Sequence, residues 1–233
     1  VRNIAPTVGA ISGPAGAVAV GSTVDLAALF TDPGTLDTHT AAWDWGDGST
    51  TSGTVTESNG SGIADGAHAY GAAGIYTVRL TVTDKDGASG SSTFQYVVVY
   101  DPNAGSSTGG GWIASPGGGK ASFGFTVGYG KDGNLGGQVE FNAKSVNLNF
   151  HSTGLEWLVV NGNRMTLRGS GTINGSGDYG FLLAAVDGGG TDQFRIKIWD
   201  KTSGAVIYDN QPGAPDDAVP SQSIGGGSIV IHK

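Results

Sequence analysis

The sequence contains no cysteine and only 4 histidines. Without cysteine the chain has no disulfide bond, zinc–thiolate site or cysteine nucleophile, and four histidines do not predict a histidine-rich metal site. The 12 lysine and arginine residues are scattered singly, so no basic stripe is present to neutralise nucleic-acid phosphates. No apolar run approaches the roughly 20 residues that span a bilayer as a helix. We therefore expect no nucleic-acid partner and no membrane insertion.

Glycine and aspartate are abundant instead. The chain of 233 residues has 43 glycines, a formal net charge of −8, and 17 aspartates against 3 glutamates. An excess of Gly, Asp, Ser and Thr is typical of many short strands joined by turns. Aspartates in turns either close the turn or bind calcium, and composition leaves both interpretations open.

Hydrophobic alternation with period two recurs in both halves of the chain, and no helical stripe appears. In YTVRLTV (76–82), every second side chain is apolar and shares one face. Residues 101–111 lack periodicity and are rich in Gly and Ser, which predicts a linker. We therefore predict an all-β chain with a first domain at residues 1–100 and a second antiparallel β-sandwich or barrel, of nine strands, at residues 112–233.

The segment WDWGDG (43–48) combines acidic and aromatic residues, so it needs a choice between catalysis and structure. On a strand, Trp43 and Trp45 point to one face and Asp44 to the other. Asp47 and the glycine after it suit a tight hairpin turn. Two acids at a strand–turn junction are poorly placed to act on one bond. We therefore predict a core face and no catalytic residue.

Three motifs in this order resemble the PKD (polycystic-kidney-disease-type) domain family: NIAPTVGAISGP (3–14), WDWGDG (43–48) and HAYGAAGIYTVRLTVTDKDG (68–87). The resemblance covers residues 1–100 and implies a seven-stranded immunoglobulin-like sandwich. The family's hairpin usually has phenylalanine where this chain has Trp45. In bacteria such domains are non-catalytic accessory modules of secreted proteases, chitinases and surface proteins, so the resemblance implies a secreted or cell-surface protein.

Some members of that family hold a structural calcium ion at one end of the sandwich. The residues of this chain that match the site are Asn3, Asp32, Asp37, Asp84 and Asp86. Calcium binds six to eight oxygen atoms, which carboxylates on two loops and main-chain carbonyls supply. The alternative is that Asp32 begins a Pro-Gly turn and Asp84 caps a strand end. Both interpretations remain open.

A second acidic group lies in the other half of the chain. Its members are Asp187, Asp192, Asp200 and Asp209. If their strands pair in simple hairpins, the last two approach each other near a turn. They form either a second calcium site or solvated turns. An Asp-dependent hydrolase that uses acids of this domain is a further alternative.

Carbohydrate binding requires an exposed aromatic ring. Trp157 shares its predicted strand face with Leu155 and is expected to be buried. Trp199 shares a face with the polar residues Arg195 and Lys197, so these three are the candidate ligand contacts. They make a carbohydrate-binding module the alternative function.

The second half also resembles the "post-COAP" C-terminal domain of bacterial secreted proteins. The matching segments are NLNFHST (147–153), GTINGSGDYGF (171–181), DQFRIKIWDKTSGAVIYDN (192–210) and GGGSIVIHK (225–233). This resemblance implies architecture and context but no activity. We therefore expect a non-enzymatic, calcium-stabilised module that acts as a spacer, adhesion or substrate-targeting region at the C-terminus of a secreted protein. Its partner would be a cell-surface protein or a polysaccharide.

Overall fold

The computed structural model describes residues 3–232. Within that range the chain forms 18 β-strands, and a 3₁₀ turn at Lys144–Val146 is the only helical element. None of the described residues forms a helix long and apolar enough to cross a membrane. The predicted all-β class is confirmed. The chain divides into two compact units, Val1–Val99 and Tyr100–Lys233.

The first unit is a sandwich of two antiparallel sheets. Its strands are β1 (Thr7–Ser12), β2 (Val18–Ala19), β3 (Thr23–Thr31), β4 (His39–Asp44), β5 (Thr50–Ser52), β6 (Thr54–Ser58), β7 (Ser61–Ala69), β8 (Gly74–Asp84) and β9 (Ser89–Tyr100). One sheet has the order β1-β3-β7-β6 and the other β2-β9-β8-β4-β5. The count of nine exceeds the predicted seven, and β2 and β5 are short strands at the two edges of one sheet.

The predicted core face of the first unit is confirmed. Trp43 and Trp45 have no exposed surface, and their rings stack with centroids 5.6 Å apart. The alternating apolar residues of β8 are buried on the same side. Tyr70 ties this core to the hairpin, because its hydroxyl donates to the carbonyl oxygen of Trp45 at 3.0 Å.

Strand β7 is not among the strands predicted from the sequence, and it is rich in glycine and alanine. The structure shows why a strand needs them there. A Cβ added to Gly66 would lie 2.6 Å from the Trp43 indole, and a Cβ on Gly62 would lie 2.5 Å from the Phe30 ring. These glycines therefore leave room for rings that cross the strand.

The second unit is one nine-stranded antiparallel sheet. Its strands are β10 (Ser106–Ala114), β11 (Lys120–Tyr129), β12 (Leu135–Ala143), β13 (Leu148–Asn161), β14 (Arg164–Ile173), β15 (Ser176–Val186), β16 (Gln193–Asp200), β17 (Val206–Asp209) and β18 (Gly226–Ile231). Strands β10 to β17 pair in sequence order, and β18 pairs with β10. The Phe123 and Phe194 rings, from β11 and β16, stack with centroids 4.0 Å apart. The sheet therefore curls around one apolar core.

The predicted linker is wrong for residues 106–111, which form the first part of β10. This strand pairs with both β11 and β18. Its glycines allow close packing: a Cβ on Gly109 would lie 2.5 Å from the Phe125 ring, and one on Gly111 would lie 2.1 Å from the carbonyl oxygen of Gly226. Glycine here is therefore a requirement of the strand, not a sign of flexibility.

The crowding at Gly66 leads to a test. Gly66→Ala places a methyl group against the buried Trp43 ring, and we expect a loss of about 1–3 kcal/mol in the unfolding free energy of the first unit. Urea unfolding followed by tryptophan fluorescence measures it. Gly16→Ala is the control, because its Cβ would meet no atom within 4 Å. An unchanged midpoint in Gly66→Ala would contradict the packing described.

Candidate functional site

Three carboxylates converge at one end of the first sandwich. Asp32 follows β3, Asp84 is the last residue of β8, and Asp37 lies in the loop before β4. Each offers an oxygen, and these oxygens all lie within 4.8 Å of one another. The topology explains this, because His39 at the start of β4 pairs directly with Asp84.

The carboxylates are withdrawn from water to different degrees. The Asp32 side chain is 1 % exposed and that of Asp37 is 13 % exposed, while Asp84 as a whole residue is 4 % exposed. Buried anions this close repel one another and need compensating charge or hydrogen bonds.

Hydrogen bonds stabilise the charge on Asp84. Burial alone would raise the pKa of this carboxyl, but bonds from Asn3 and from the backbone amides of the β8–β9 turn lower it. The Asn3 amide group donates to both carboxylate oxygens, at 3.1 and 2.9 Å. The amides of Asp86 and Ala88 donate to Oδ1 at 2.8 and 3.0 Å. Asp84 is therefore ionised at neutral pH.

Two basic groups flank the acids. Lys85 Nζ lies 3.0 Å from Oδ1 of Asp37. The buried His39 ring lies between Asp32 and Glu57, with nitrogen–oxygen distances of 3.1 and 2.6 Å. Burial alone would lower the pKa of His39, but the hydrogen bonds to the two carboxylates raise it. The ammonium, together with the His39 ring when it is protonated, partly balances the three carboxylates.

We define the acidic cluster as Asp32, Asp37 and Asp84. Two of its members, Asp32 and Asp37, line a surface pocket of about 600 Å³. The predicted ligand Asp86 lines the pocket but is not in the cluster: its carboxylate is 52 % exposed and pairs with Lys85. Gly34 was missed by sequence reasoning. A Cβ there would lie 2.1 Å from Oδ2 of Asp37, so only glycine lets that carboxylate turn inward.

The four acids predicted as a second calcium site do not assemble. Asp187 and Asp192 lie in the β15–β16 loop, and Asp200 ends β16, eight residues beyond Asp192 and about 25 Å along an extended strand. Asp209 pairs with a buried arginine. The only group of three or more possible metal ligands in the described range is the acidic cluster of the first unit. The prediction of a joint site from these four acids is wrong.

Instead, these acids organise the backbone. Asp192 Oδ2 accepts a hydrogen bond from the amide of Ile229 at 2.7 Å, and Asp187 Oδ2 accepts one from Ile231 at 3.4 Å. Asp200 Oδ1 accepts the amides of Thr202 and Ser203 in the β16–β17 turn. Asp200 therefore fits the turn interpretation, whereas Asp187 and Asp192 also bind the backbone of β18.

The prediction that Arg195 contacts a ligand is wrong, because its side chain is fully buried. Two of its nitrogens donate to the two carboxylate oxygens of Asp209, at 3.3 and 3.0 Å. It also donates to the carbonyl oxygens of Ala214 and Pro215. The segment after β17 folds back over the polar face of the sheet and covers this arginine.

The other two predicted contacts, Trp199 and Lys197, remain at the surface and line a pocket of about 260 Å³. The indole of Trp199 lies flat against Gly180, where an added Cβ would be 2.3 Å from the ring. The predicted burial of Trp157 is wrong, since a bulge after Leu155 turns it toward the partly exposed face opposite Arg168.

The first unit is similar to known domains. The PKD domain family model matches residues 3–99. The match supports a PKD domain at residues 3–99. The PKD domain of an M14-like peptidase from Thermoplasmatales archaeon SCGC AB-540-F20 is 25 % identical, covering 42 % of this chain and 98 % of its own, with a TM-score of 0.36. The PKD1 domain of Vibrio anguillarum Epp is 28 % identical, covering 42 % and 99 %, with a TM-score of 0.31.

This chain is also similar to a solved structure that is described as the basis for the promiscuous specificity of carbohydrate-binding modules from the β-sandwich superfamily. It is 16 % identical, covering 99 % of this chain and 93 % of its own, with a TM-score of 0.37, which is too low to support an argument about function. No curated protein matches the chain. The resemblance of the second unit to the post-COAP domain stays a prediction.

The hairpin of the PKD domain holds its acids in structural roles. Asp44 Oδ1 accepts the amide of Gly46 at 3.0 Å. Asp47 accepts hydrogen bonds from the Ser49 amide and hydroxyl, and its other oxygen lies 2.7 Å from the His68 ring. Burial alone would raise the pKa of Asp47, but these bonds lower it to about 2.

This pKa shift has a consequence for stability. A carboxyl whose folded pKa is depressed stabilises the fold fully above its unfolded pKa, near 3.8, and loses that effect as pH falls through about 2. We expect Asp47→Asn to unfold at a lower temperature than the parent at pH 6, with the difference shrinking from pH 4 to pH 2. Thermal denaturation followed by circular dichroism tests it. A difference independent of pH would contradict the assigned role of Asp47.

Proposed function

We propose that the chain is a non-catalytic extracellular module whose PKD domain is stabilised by calcium. It acts as a spacer, adhesion or substrate-targeting region of a secreted bacterial protein. The observation that supports this most directly is the convergence of the Asp32, Asp37 and Asp84 carboxylates at the end of the sandwich.

The donor chemistry of the acidic cluster fits calcium. Three carboxylates provide hard oxygen ligands, and the adjoining pocket admits water for the remaining positions of a six- to eight-coordinate ion. The Asn3 side chain, already bound to Asp84, presents an amide oxygen when its terminal group is turned over. A bound dication would replace the Lys85 ammonium as the partner of Asp37. The ion would stabilise this cluster strongly, because it neutralises carboxylates that are buried together.

The location of the ion suggests what it does. Asp32 and Asp84 belong to different sheets of the sandwich, since they follow β3 and end β8. An ion bound to both would tie the two sheets together at one end without a disulfide bond, which this cysteine-free chain lacks. Such a tie suits a module that holds its neighbours at a fixed separation in an extracellular medium rich in calcium.

The acids of the second unit support a non-catalytic role. Asp209 is bound in a buried ion pair, and Asp200 is bound to the amides of its own turn. Glycoside hydrolysis needs two carboxyl groups on either side of one bond, separated by less than about 10 Å. Acids that are engaged in this way at separate turns do not form that arrangement.

Calcium should stabilise the PKD domain measurably. With a dissociation constant of ~0.1 mM, as in extracellular modules, 1 mM calcium adds about 1.4 kcal/mol to the unfolding free energy. For a domain of this size the midpoint rises by roughly 5–10 °C. Differential scanning calorimetry in 1 mM CaCl₂ and in chelator measures the shift of the transition that belongs to this domain.

Three variants make the test specific. Asp37→Asn removes a charge at the most exposed member of the cluster and should abolish the calcium response, while Asp86→Asn should keep most of it, because Asp86 lies outside the cluster. Asp25→Asn, an exposed position on β3, controls for the change in net charge. Equal midpoints of the parent protein with calcium and with chelator would remove calcium from the proposal.

Carbohydrate recognition by the second unit is a second candidate function. It is supported by the position of Trp199 at a surface pocket beside Lys197. It is compatible with the first proposal, because a rigid PKD domain next to a sugar-binding domain would target a larger protein to a polysaccharide.

A further inference from the structure

Only some of the tryptophans of this chain can offer a ring face to a ligand. Trp43 and Trp45 are buried in the first core. Trp112 lies flat on Gly225, and the Lys120 ammonium covers its ring at 3.8 Å from the centroid. A cation at this distance already occupies the ring by a cation–π contact. Trp112 is therefore not free to stack on a ligand.

Trp199 is placed differently. Its indole also lies flat, on Gly180, so one face is supported by backbone and the ring is held rigid. The Arg168 guanidinium and the Lys197 ammonium lie over the ring, at 5.1 and 5.9 Å from its centroid. Both are more distant than the lysine on Trp112, so a ligand reaches this ring by displacing weaker cation–π contacts. The ring remains part of the wall of the pocket of about 260 Å³.

Two ion pairs border this ring. Arg168 Nε donates to Oε2 of Glu156 at 3.0 Å, and Lys197 Nζ donates to Oδ1 of Asp216 at 2.7 Å. Their side chains are between 23 % and 43 % exposed, so they are accessible to a ligand. In each ion pair the two side chains hold each other in a defined orientation. Together they present hydrogen-bond donors and acceptors next to the ring.

The charges at the pocket decide the class of ligand. The two cations are balanced by two carboxylates, so the border of the pocket has no net charge, and the whole chain carries −8. An anionic ligand would meet no uncompensated positive charge. A neutral ligand with one apolar face and many hydroxyl groups matches an aromatic ring bordered by paired donors and acceptors.

We propose, building on the carbohydrate-recognition candidate above, that Trp199 stacks on one pyranose ring of a neutral polysaccharide. The Arg168–Glu156 and Lys197–Asp216 pairs form hydrogen bonds to hydroxyl groups of the same sugar unit and its neighbour. The small pocket admits one ring, and the rest of the polymer lies along the open surface.

Affinity electrophoresis tests the proposal on the full chain. The neutral probes are hydroxyethylcellulose, galactomannan, xyloglucan and laminarin, and the acidic probes are polygalacturonate and alginate. We expect at least one neutral polymer, and neither acidic one, to retard the protein. Raising NaCl from 50 to 500 mM should change the dissociation constant less than threefold, because the ligand is uncharged.

The variants locate the site. Trp199→Ala should weaken binding at least tenfold, as expected for a central tryptophan contact, while Trp199→Tyr retains a flat ring and should stay within about fivefold of the parent. Trp112→Ala is the matched control, since it removes an indole that also lies on glycine, and it should change affinity less than twofold. Circular dichroism verifies that each variant is folded.

The possible failures are distinguishable. Polysaccharide binding that Trp199→Ala leaves intact would overturn the assignment of this pocket and leave carbohydrate recognition standing. Retardation by acidic polymers alone, weakened by salt, would overturn the neutral class of ligand. A parent protein that no polymer retards would overturn carbohydrate recognition itself, and the proposed site with it.

Discussion

The close packing of aromatic rings on glycine is the constraint on which both units depend. Trp43 packs on β7 at Gly66, and the half-buried Trp199 packs on β15 at Gly180. In each case an added Cβ would lie within 2.6 Å of the ring, well inside van der Waals contact. Glycine has a low β-propensity and so weakens the strand. In return, its bare backbone provides a flat surface on which the ring packs with little rotational freedom. In the core this arrangement fills space, and at Trp199 it holds a ring in the wall of a surface pocket.

This constraint explains what the sequence could and could not predict about the fold. Alternation of apolar residues identified strands such as β8, because burial on one face leaves a period of two in the sequence. Strand β7 was not among the predicted strands, and the glycines of residues 106–111 in β10 were interpreted as a linker. Glycine in a strand is recognisable only when the ring that crosses it is known. That information is long-range: Gly109 packs against Phe125 of the next strand, and Gly66 against a tryptophan of the opposite sheet.

The candidate metal site was only partly predictable, because it too depends on long-range contacts. The sequence identified the loops and their acids, but not which carboxylates meet. The pairing of β4 with β8 selects Asp84 over Asp86, because the next acid along the turn points outward to Lys85. The electrostatic partners of the site were invisible in the sequence. His39 lies seven residues from Asp32 and eighteen from Glu57, and only the fold places its ring between the two carboxylates.

A buried ion pair also determines which part of the polar face of the second unit stays open. Period-two alternation correctly placed Arg195 on the same face as Trp199, yet the arginine is buried and the tryptophan is at a pocket. The difference arises because Arg195 binds Asp209 and the carbonyl oxygens of residues 214 and 215, so it fastens the segment after β17 across one half of that face. A buried arginine with these bonds satisfied is costly to expose, so the covering segment should stay closed. The same segment supplies Asp216 to the border of the pocket. The arginine that was expected to contact a ligand therefore helps to shape the pocket without lining it.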